Sequence, residues 1–169
     1  MSKSETNGSQ GEVERLLAGA AKTVKESSYC WLMTAAAGAG ANARPMGLVA
    51  RALNAESWTV SFLTDGRSHK VEDIRRVNAI SLLFQVEPQD AFVKLDGKAV
   101  LQEDRNEVLQ RWKRAYEPYF PTEVDRLHAI FVDVLITKLD LWIRGVTPEP
   151  FGLQTTTLER EVQGPWRLV

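Results

Sequence analysis

Apolar and polar residues alternate along several stretches of the chain, the pattern of strands with one buried face. Trp58, Val60 and Phe62 alternate with Ser57, Thr59 and Ser61. Five other stretches are apolar and rich in β-forming residues: 29–35, 44–53, 79–86, 92–101 and 128–144. The pattern predicts about six strands, and the last is long enough to contain a bulge.

Helical spacing occurs in three other regions. Between residues 11 and 26 apolar side chains recur every three or four positions (Val13, Leu16, Leu17, Ala20, Ala21, Val24), which predicts an amphipathic helix. Ser68 is placed to cap a short helix that ends near Arg76. Residues 104–117 predict another amphipathic helix, ended by Pro118, with four inward side chains: Val108, Leu109, Trp112 and Tyr116. Thr122 can cap one further turn.

Strands and helices do not alternate regularly, which argues against a parallel doubly wound sheet. Short turns favour antiparallel neighbours. We therefore predict a mainly β (α+β) fold, in which about six antiparallel strands form a small closed or split barrel with peripheral helices. The polar residues 1–10 are predicted to be a disordered tail, 11–146 a single domain and 147–169 a C-terminal extension.

Composition excludes several classes of partner. The chain has 169 residues and a net charge of -1, so no overall field attracts nucleic acid or an anionic membrane. No apolar run approaches the roughly 20 residues of a membrane span. One cysteine, two histidines and no CxxC or HExxH spacing indicate neither a disulfide nor a metal site. We expect a cytoplasmic protein without nucleic-acid or membrane partners.

Basic residues and a hydroxyl gather at the start of the second predicted helix, in the sequence FLTDGRSHKVEDI at 62–74. Cations there oppose the helix dipole, so an anion would resolve the conflict. First-turn N–H groups and the side chains of Ser68 and Lys70, with further donors from His69 and Arg67, can together hold a phosphate. The alternative is a solvated basic turn that is paired with nearby carboxylates (Asp65, Glu72, Asp73).

A second candidate is Arg44-Pro45-Met46, at the start of a predicted strand. Pro45 leaves a ladder position open and Met46 is polarizable, which suits a flat heteroaromatic ring. The alternative is an edge strand with an exposed Arg44. The preceding GAGANA at 38–43 matches a dinucleotide fingerprint, but Pro45 disfavours the helix that such a site requires, so we predict a turn.

Three segments in this order resemble the flavin-binding split-barrel family, the fold of pyridoxamine 5'-phosphate oxidase, and in particular its general stress protein branch. They are RPMGLV at 44–49, SWTVSFLTDGRSHKVEDIRRVNAISLLF at 57–84 and FVKLDGKAVL at 92–101. The resemblance covers roughly residues 11–146. It implies that the fold is a six-stranded antiparallel split β-barrel with peripheral helices and that this domain binds FMN. It also implies a homodimer with its flavin sites at the interface.

The resemblance also implies roles for nine residues. Arg44, Pro45 and Met46 would border the flavin ring, and Leu63 and Thr64 the ring or the ribityl chain. Ser68, His69 and Lys70 would take the phosphate, with His69 where the oxidases often have Arg. Trp142 resembles a Trp that reaches the flavin, from the partner subunit; the alternative is an interface aromatic without cofactor contact.

One departure affects the expected activity. The oxidases follow that Trp with an Arg-Leu-His-Asp-Arg run that grips the vitamin substrate, whereas this chain has WIRGVTPEPFGL at 142–153. This argues against pyridoxamine 5'-phosphate oxidation. We expect an FMN-dependent oxidoreductase with NAD(P)H as donor and a small-molecule redox partner, without an identified protein acid or base. The alternatives are a non-catalytic flavin binder or redox sensor, and the same fold with deazaflavin or heme.

Overall fold

The computed structural model describes residues 3–54 and 57–169, with side chains from residue 10 onward. The α-helices are α1 (Lys3–Glu26), α2 (His69–Arg76), α3 (Arg105–Arg111) and α4 (Glu123–His128). The strands are β1 (Cys30–Ala35), β2 (Ala41–Met46), β3 (Ala50–Leu53), β4 (Trp58–Asp65), β5 (Ala79–Val86), β6 (Ala91–Gln102), β7 (Ala129–Ile143), β8 (Thr156–Glu159) and β9 (Arg167–Leu168). Glu87–Gln89 and Arg114–Tyr119 form 3₁₀ helices.

The strands form one antiparallel sheet in the order β2-β1-β5-β6-β7-β4-β3, and β8 lies between β7 and β9. The long strand β7 pairs with β6 along its length, with β4 along its first half and with β8 near its end. No ladder joins β2 to β3 in the described part of the chain, so the sheet is not closed. The predicted fold class is confirmed.

In the residues that the structure describes, the sheet has nine strands where the sequence predicted about six. Two of the additional strands, β8 and β9, lie in the predicted C-terminal extension. The third arises because the predicted strand 44–53 is divided: β2 begins earlier, at Ala41, and pairs with β1, whereas β3 pairs with β4 at the other end of the sheet. Residues 47–49 connect the strand that pairs with β1 to the strand that pairs with β4, and within this connection the Val49 N–H donates to the Ser61 carbonyl at 2.9 Å. One straight strand cannot pair at both edges.

A bulge interrupts the β6–β7 ladder, as the sequence predicted. Asp96 lies opposite Lys138 and Gly97 opposite Ile136, so Thr137 is the additional residue. A Cβ on Gly97 would clash with the Leu135 carbonyl, which explains the glycine at this point.

The core lies between α1 and the inner face of the sheet. Leu16, Ala20 and Val24 of α1 are fully buried against strand residues such as Leu82 and Val93. α1 begins at Lys3, inside the range predicted to be a disordered tail, because backbone hydrogen bonds can continue a helix into a polar sequence. Residues 1 and 2 lie outside the described residues.

The predicted helix at 104–117 is interrupted. α3 ends at Arg111, and Lys113 is extended before the 3₁₀ turn. Leu109, predicted to face inward, is 55% exposed. Aromatic packing decides this path: Trp112 contacts Tyr116 and Phe120, and Tyr116 contacts Phe131 of β7. The predicted cap at Thr122 is confirmed, with reciprocal hydrogen bonds to Asp125.

The C-terminal segment adds to the same core. Trp166 lies edge-on against the buried Trp58, with ring centroids 5.7 Å apart. Through residues 3–54 and 57–169, no helix has both the length and the apolar character needed to cross a bilayer.

Candidate functional site

A cavity of about 630 Å³ opens where the ends of β2 and β4 and the start of α2 meet the connection between β6 and β7. Its volume lies in the range of small-molecule and cofactor sites. The lining contains five of the nine predicted site residues: Pro45, Met46, Leu63, Thr64 and Lys70. The structure places β2 and β4 beside the same cavity, although it is β3 and not β2 that shares a ladder with β4.

Lys70 is the central cation of this group. Its Nζ donates to Thr64 Oγ1 at 2.9 Å, and in the described chain no carboxylate lies within ion-pair distance of it. Burial lowers the pKa of Lys70 below its usual value, and the charge of Arg44 lowers it further. A desolvated ammonium beside a second cation is stabilised by an anion, which would supply the missing countercharge.

Ser68 occupies the N-cap position of α2, as predicted, but its side chain makes no capping hydrogen bond. Its Oγ is buried and has no hydrogen-bond partner in the described structure. The backbone N–H of Val71 donates to the Ser68 carbonyl. The backbone N–H groups of His69 and Lys70 lie in the first turn, where a helix offers them no acceptor of its own. An unsatisfied buried hydroxyl is costly, so this turn is suited to a ligand rich in acceptors.

Arg67 and His69 stand apart from the cavity. Arg67 pairs with Asp65 and lies 3.4 Å from Asp125, so for Arg67 the alternative of a solvated, carboxylate-paired turn is correct. This pairing lowers the pKa of Asp65. His69, the first residue of α2, is exposed and outside the cavity lining.

Arg44 is absent from the cavity lining because it bonds a buried carboxylate. Its Nη2 lies 3.1 Å from Asp73 Oδ2, so it is not the freely exposed arginine of the alternative interpretation. Asp73 also accepts hydrogen bonds from Asn42 and Thr34, which lower its pKa well below the usual range. This network ties β2 to α2, and Arg44 therefore influences the cavity through its charge on Lys70.

Trp142 lies far from the cavity of its own chain. It follows Ile130, the partner of Thr64, by twelve positions along β7, which corresponds to about 40 Å of extended strand. It is partly exposed, opposite Phe92 of β6. The sequence-based roles of these nine residues stay predictions.

Comparison with known proteins places the chain in a family. The model of the family described as "Pyridoxamine 5'-phosphate oxidase like" matches residues 17–149. The chain belongs to the pyridoxamine 5'-phosphate oxidase-like family. The resemblance drawn from the sequence is confirmed. A comparison with curated proteins gives no match.

Solved structures share the fold of this family member at low sequence identity. A Clostridium acetobutylicum protein related to general stress protein 26 has a TM-score of 0.70 and 18% identity, covering 86% of this chain and 95% of that chain. An FMN-binding, pyridoxamine 5'-phosphate oxidase-related protein from Nostoc punctiforme has a TM-score of 0.64 and 14% identity, covering 95% and 96%. General stress protein 26 from Bacillus anthracis has a TM-score of 0.60 and 13% identity, covering 75% and 93%.

Sequence reasoning missed one wall of the cavity in this family member. Tyr29 and part of the β6–β7 connection contribute to the lining (Lys113, Ala115, Tyr116, Tyr119, Phe120, Asp125). The available signal was the sequence WKRAYEPYFP at 112–121, in which aromatic and basic residues are interrupted by two prolines. Both prolines follow the predicted helix 104–117, so they gave no reason to end it at Arg111, and the density of aromatic residues was the usable signal.

Proposed function

We propose that this chain binds FMN in the cavity and is a flavin-dependent oxidoreductase of the general stress type. The observation that carries the proposal is Lys70, a desolvated ammonium that donates to Thr64 and lines the cavity at a helix start. The unsatisfied Ser68 hydroxyl is two residues earlier in the same turn, although Ser68 itself is outside the cavity lining. A phosphate monoester supplies the countercharge and the acceptors that this arrangement lacks. The structural neighbour from Nostoc punctiforme is named as an FMN-binding protein.

The residues present fit an FMN molecule at both ends. Lys70, Ser68 and the first-turn N–H groups of α2 would hold the phosphate, with exposed His69 at its edge. Pro45, Met46, Leu63 and Thr64 would border the ring and the ribityl chain. A bound flavin supplies reversible one- and two-electron chemistry, and the protein orients it and tunes its electronics.

The site would be completed by a second copy of the chain. Residues directly opposite in antiparallel strands share a face, and the ladders place several exposed or partly exposed side chains on one outer sheet face: Pro45, Trp31, Leu83, Phe92, Lys94, Asp140 and Trp142. Pro45, at one end of this face, lines the cavity. Two-fold pairing through the outer sheet face would bring the partner subunit's Trp142 toward the cavity, which a chain's own Trp142 does not reach.

The phosphate-binding features distinguish FMN from heme, which has no phosphate. A small-molecule redox partner and NAD(P)H as donor complete the proposal, with the cytoplasm as its location. The remaining alternatives are a flavin binder or redox sensor without catalysis, and a deazaflavin in place of FMN.

Reconstitution and reduction test the proposal together. Purified protein is incubated with FMN, separated from free ligand and measured for flavin absorbance; we expect about one flavin per chain. Anaerobic addition of NADH or NADPH should then bleach the flavin absorbance. A protein that retains no flavin contradicts the proposal, and a bound flavin that neither nicotinamide reduces supports the non-catalytic binder.

A further inference from the structure

A second cavity, of about 720 Å³, lies beside the bulge of the β6–β7 ladder. This bulge cavity is bordered by the β1–β2 turn, by β5 and β6, and by β7 and β8. It shares no lining residue with the cavity of the proposed flavin site. Small residues border the space: Gly40 and Ala41 from the GAGANA segment, Ala79 of β5 and Gly97 of β6. The volume lies in the range of small-molecule sites.

The lining of the bulge cavity has an excess of positive charge. Its cations outnumber its carboxylates: Lys94, Lys98, Lys138 and Arg160 against Asp96 and Glu159. Both carboxylates are compensated, because Lys94 bonds Asp96 at 2.7 Å and Lys138 pairs with Glu159 at 3.3 Å. Within residues 3–54 and 57–169, Lys98 and Arg160 have no carboxylate partner. The cavity therefore holds two cations without a countercharge.

Arg160 is held in place but is not neutralised. It is half-buried, its Nε donates to the Ile136 carbonyl at 3.1 Å, and its guanidinium lies 4.8 Å from the centre of the Trp166 ring. These contacts fix the orientation of the guanidinium. Burial lowers the pKa of Arg160 below its usual value. A desolvated guanidinium without a carboxylate is costly, and an oxyanion would stabilise it.

The donors of Arg160 are also unsatisfied. Its Nη1 is buried and has no hydrogen-bond partner in the described structure. The same is true of Trp166 Nε1, although Trp166 itself is outside the cavity lining. Arg160 Nη2 has no partner among the described residues either, but it is not buried, so it is the nitrogen that a ligand can reach. Unsatisfied donors at a cavity favour a ligand with several acceptor oxygens.

The bulge cavity also has apolar surface. Met33 and Ala35 of β1 both line it, and because they are two residues apart they lie on the same face of the sheet. Ile80 of the neighbouring strand β5 contributes as well. Apolar surface with a small number of polar groups is typical of sites for small organic ligands.

We propose that the bulge cavity binds a small organic anion, whose carboxylate or phosphate pairs with Arg160 and whose apolar part lies against Met33 and Ala35. Lys98 is exposed, so it adds a weaker attraction that solvent screens. The inference goes beyond the proposed function, since it requires neither a flavin nor Lys70. Because the two cavities share no lining residue, both ligands can be bound at once.

Calorimetric titration of the FMN-loaded protein tests this proposal, because bound FMN keeps the probes away from Lys70. The probes are phenylacetate, phenyl phosphate and the uncharged phenylacetamide. Arg160→Met should weaken both anions about tenfold or more and leave phenylacetamide unchanged, because a charge-assisted contact is lost. Lys98→Ala should weaken both anions about two- to threefold. Lys25→Ala removes an exposed cation of α1 outside both cavities and should have no effect.

The two anionic probes also identify the acidic group. Tighter binding of phenyl phosphate assigns the bulge cavity to a phosphate monoester, and tighter binding of phenylacetate assigns it to a carboxylic acid. If the protein retains no FMN, the same titrations are made with Lys70→Ala, which lacks the cation of the other cavity. Failure of the proposed function therefore leaves this test intact.

Thermal unfolding gives a second readout. A methionine side chain can pack on the Trp166 ring, and Arg160→Met removes an unpaired, half-buried charge. Without a probe, Arg160→Met should therefore be at least as stable as the unmodified protein. Phenyl phosphate should raise the Tm of the unmodified FMN-loaded protein but not that of Arg160→Met. A much lower Tm of Arg160→Met without a probe would assign the guanidinium a purely structural role and contradict the proposal.

Three further outcomes would overturn the anion site. One is equal affinity of the unmodified protein and Arg160→Met for both anions, and another is no binding of either anion. The third concerns chain pairing, because Lys94 lines the bulge cavity and also lies on the outer sheet face. If Lys98→Ala or Arg160→Met lowers the mass in light scattering from two chains to one, the cavity belongs to a contact between chains.

Discussion

At the scale of single residues, the candidate site depends on where each cation finds its countercharge. Arg67 bonds Asp65 and Arg44 bonds Asp73, whereas Lys70 has a hydroxyl as its partner. Lys70 and Thr64 could be predicted as site residues from the sequence because both belong to one local segment, the end of β4 followed by the start of α2. The partner of Arg44 was not predictable, since Asp73 is 29 residues away and meets Arg44 only when α2 packs beside β2.

The altered pKa of Lys70 predicts how FMN affinity depends on pH. The proposed phosphate contact requires the ammonium form of Lys70. An ordinary lysine has a pKa of about 10.4, and in the ligand-free protein burial and the charge of Arg44 hold the pKa of Lys70 below its usual value. The ratio of FMN to riboflavin affinity should therefore be constant below the pKa of Lys70 and fall as pH rises through it. Titrations with both ligands between pH 7 and 11 measure this, and a ratio that stays constant over that whole range would exclude Lys70 as the phosphate ligand.

Asp73 predicts the response of stability to acid. Hydrogen bonds from Asn42 and Thr34 lower its folded-state pKa, so its contribution is complete above the unfolded-state pKa of roughly 4 and is lost as pH falls below that value. Asp73→Asn should be less stable at pH 7 and lose less stability between pH 4 and pH 3. Denaturant unfolding at several pH values measures this. Glu161→Gln, an exposed carboxylate, is the control, and an unaltered acid profile in Asp73→Asn would contradict the argument.

At the scale of secondary-structure elements, local signals predicted the strands well. The predicted strand at 79–86 has the observed bounds of β5, and the bulge expected in the last strand lies opposite Gly97. The predicted helix at 104–117 is observed only from Arg105 to Arg111, because Trp112 packs on Tyr116 and Tyr116 packs on Phe131 of β7. Helical periodicity contains no information about that distant partner, so the second wall of the cavity was missed with it.

Two glycines predict opposite effects of the same substitution. A Cβ at Gly97 would clash with the Leu135 carbonyl, so Gly97→Ala should destabilise the protein by about 1–3 kcal/mol through displacement of the β6–β7 ladder. Gly11 lies in α1, where an added Cβ would meet no other atom within 4 Å, so Gly11→Ala should stabilise by up to about 1 kcal/mol. Chemical denaturation of both variants measures the difference, and equal effects would contradict the assigned bulge.

At the scale of the whole molecule, the sheet path explains both the cavity and the expected pairing of chains. The fold class followed from the order of strands and helices, whereas the division of 44–53 did not. Only the folded sheet shows that β2 and β3 end on opposite edges and that the cavity opens beside the residues that join them. The same sheet leaves Trp31 46% exposed on the outer sheet face.

Substitution of Trp31 tests the proposed homodimer. Light scattering should give the mass of two chains for the unmodified protein, and Trp31→Glu should shift the mass toward one chain and weaken FMN binding. Leu153→Glu changes a 70% exposed residue of the C-terminal segment and should leave both unchanged. A monomer that still binds FMN with unaltered affinity would contradict the shared site.

The most direct test of the central claim is a calorimetric comparison of FMN and riboflavin with the unmodified protein, Lys70→Ala and the control Lys25→Ala. A charge-assisted phosphate contact is worth about 1.5–3 kcal/mol. We therefore predict that Lys70→Ala weakens FMN roughly 10- to 150-fold and leaves riboflavin within about twofold. Equal losses of both ligands, or no binding of FMN by the unmodified protein, would contradict the claim that a flavin phosphate occupies the start of α2.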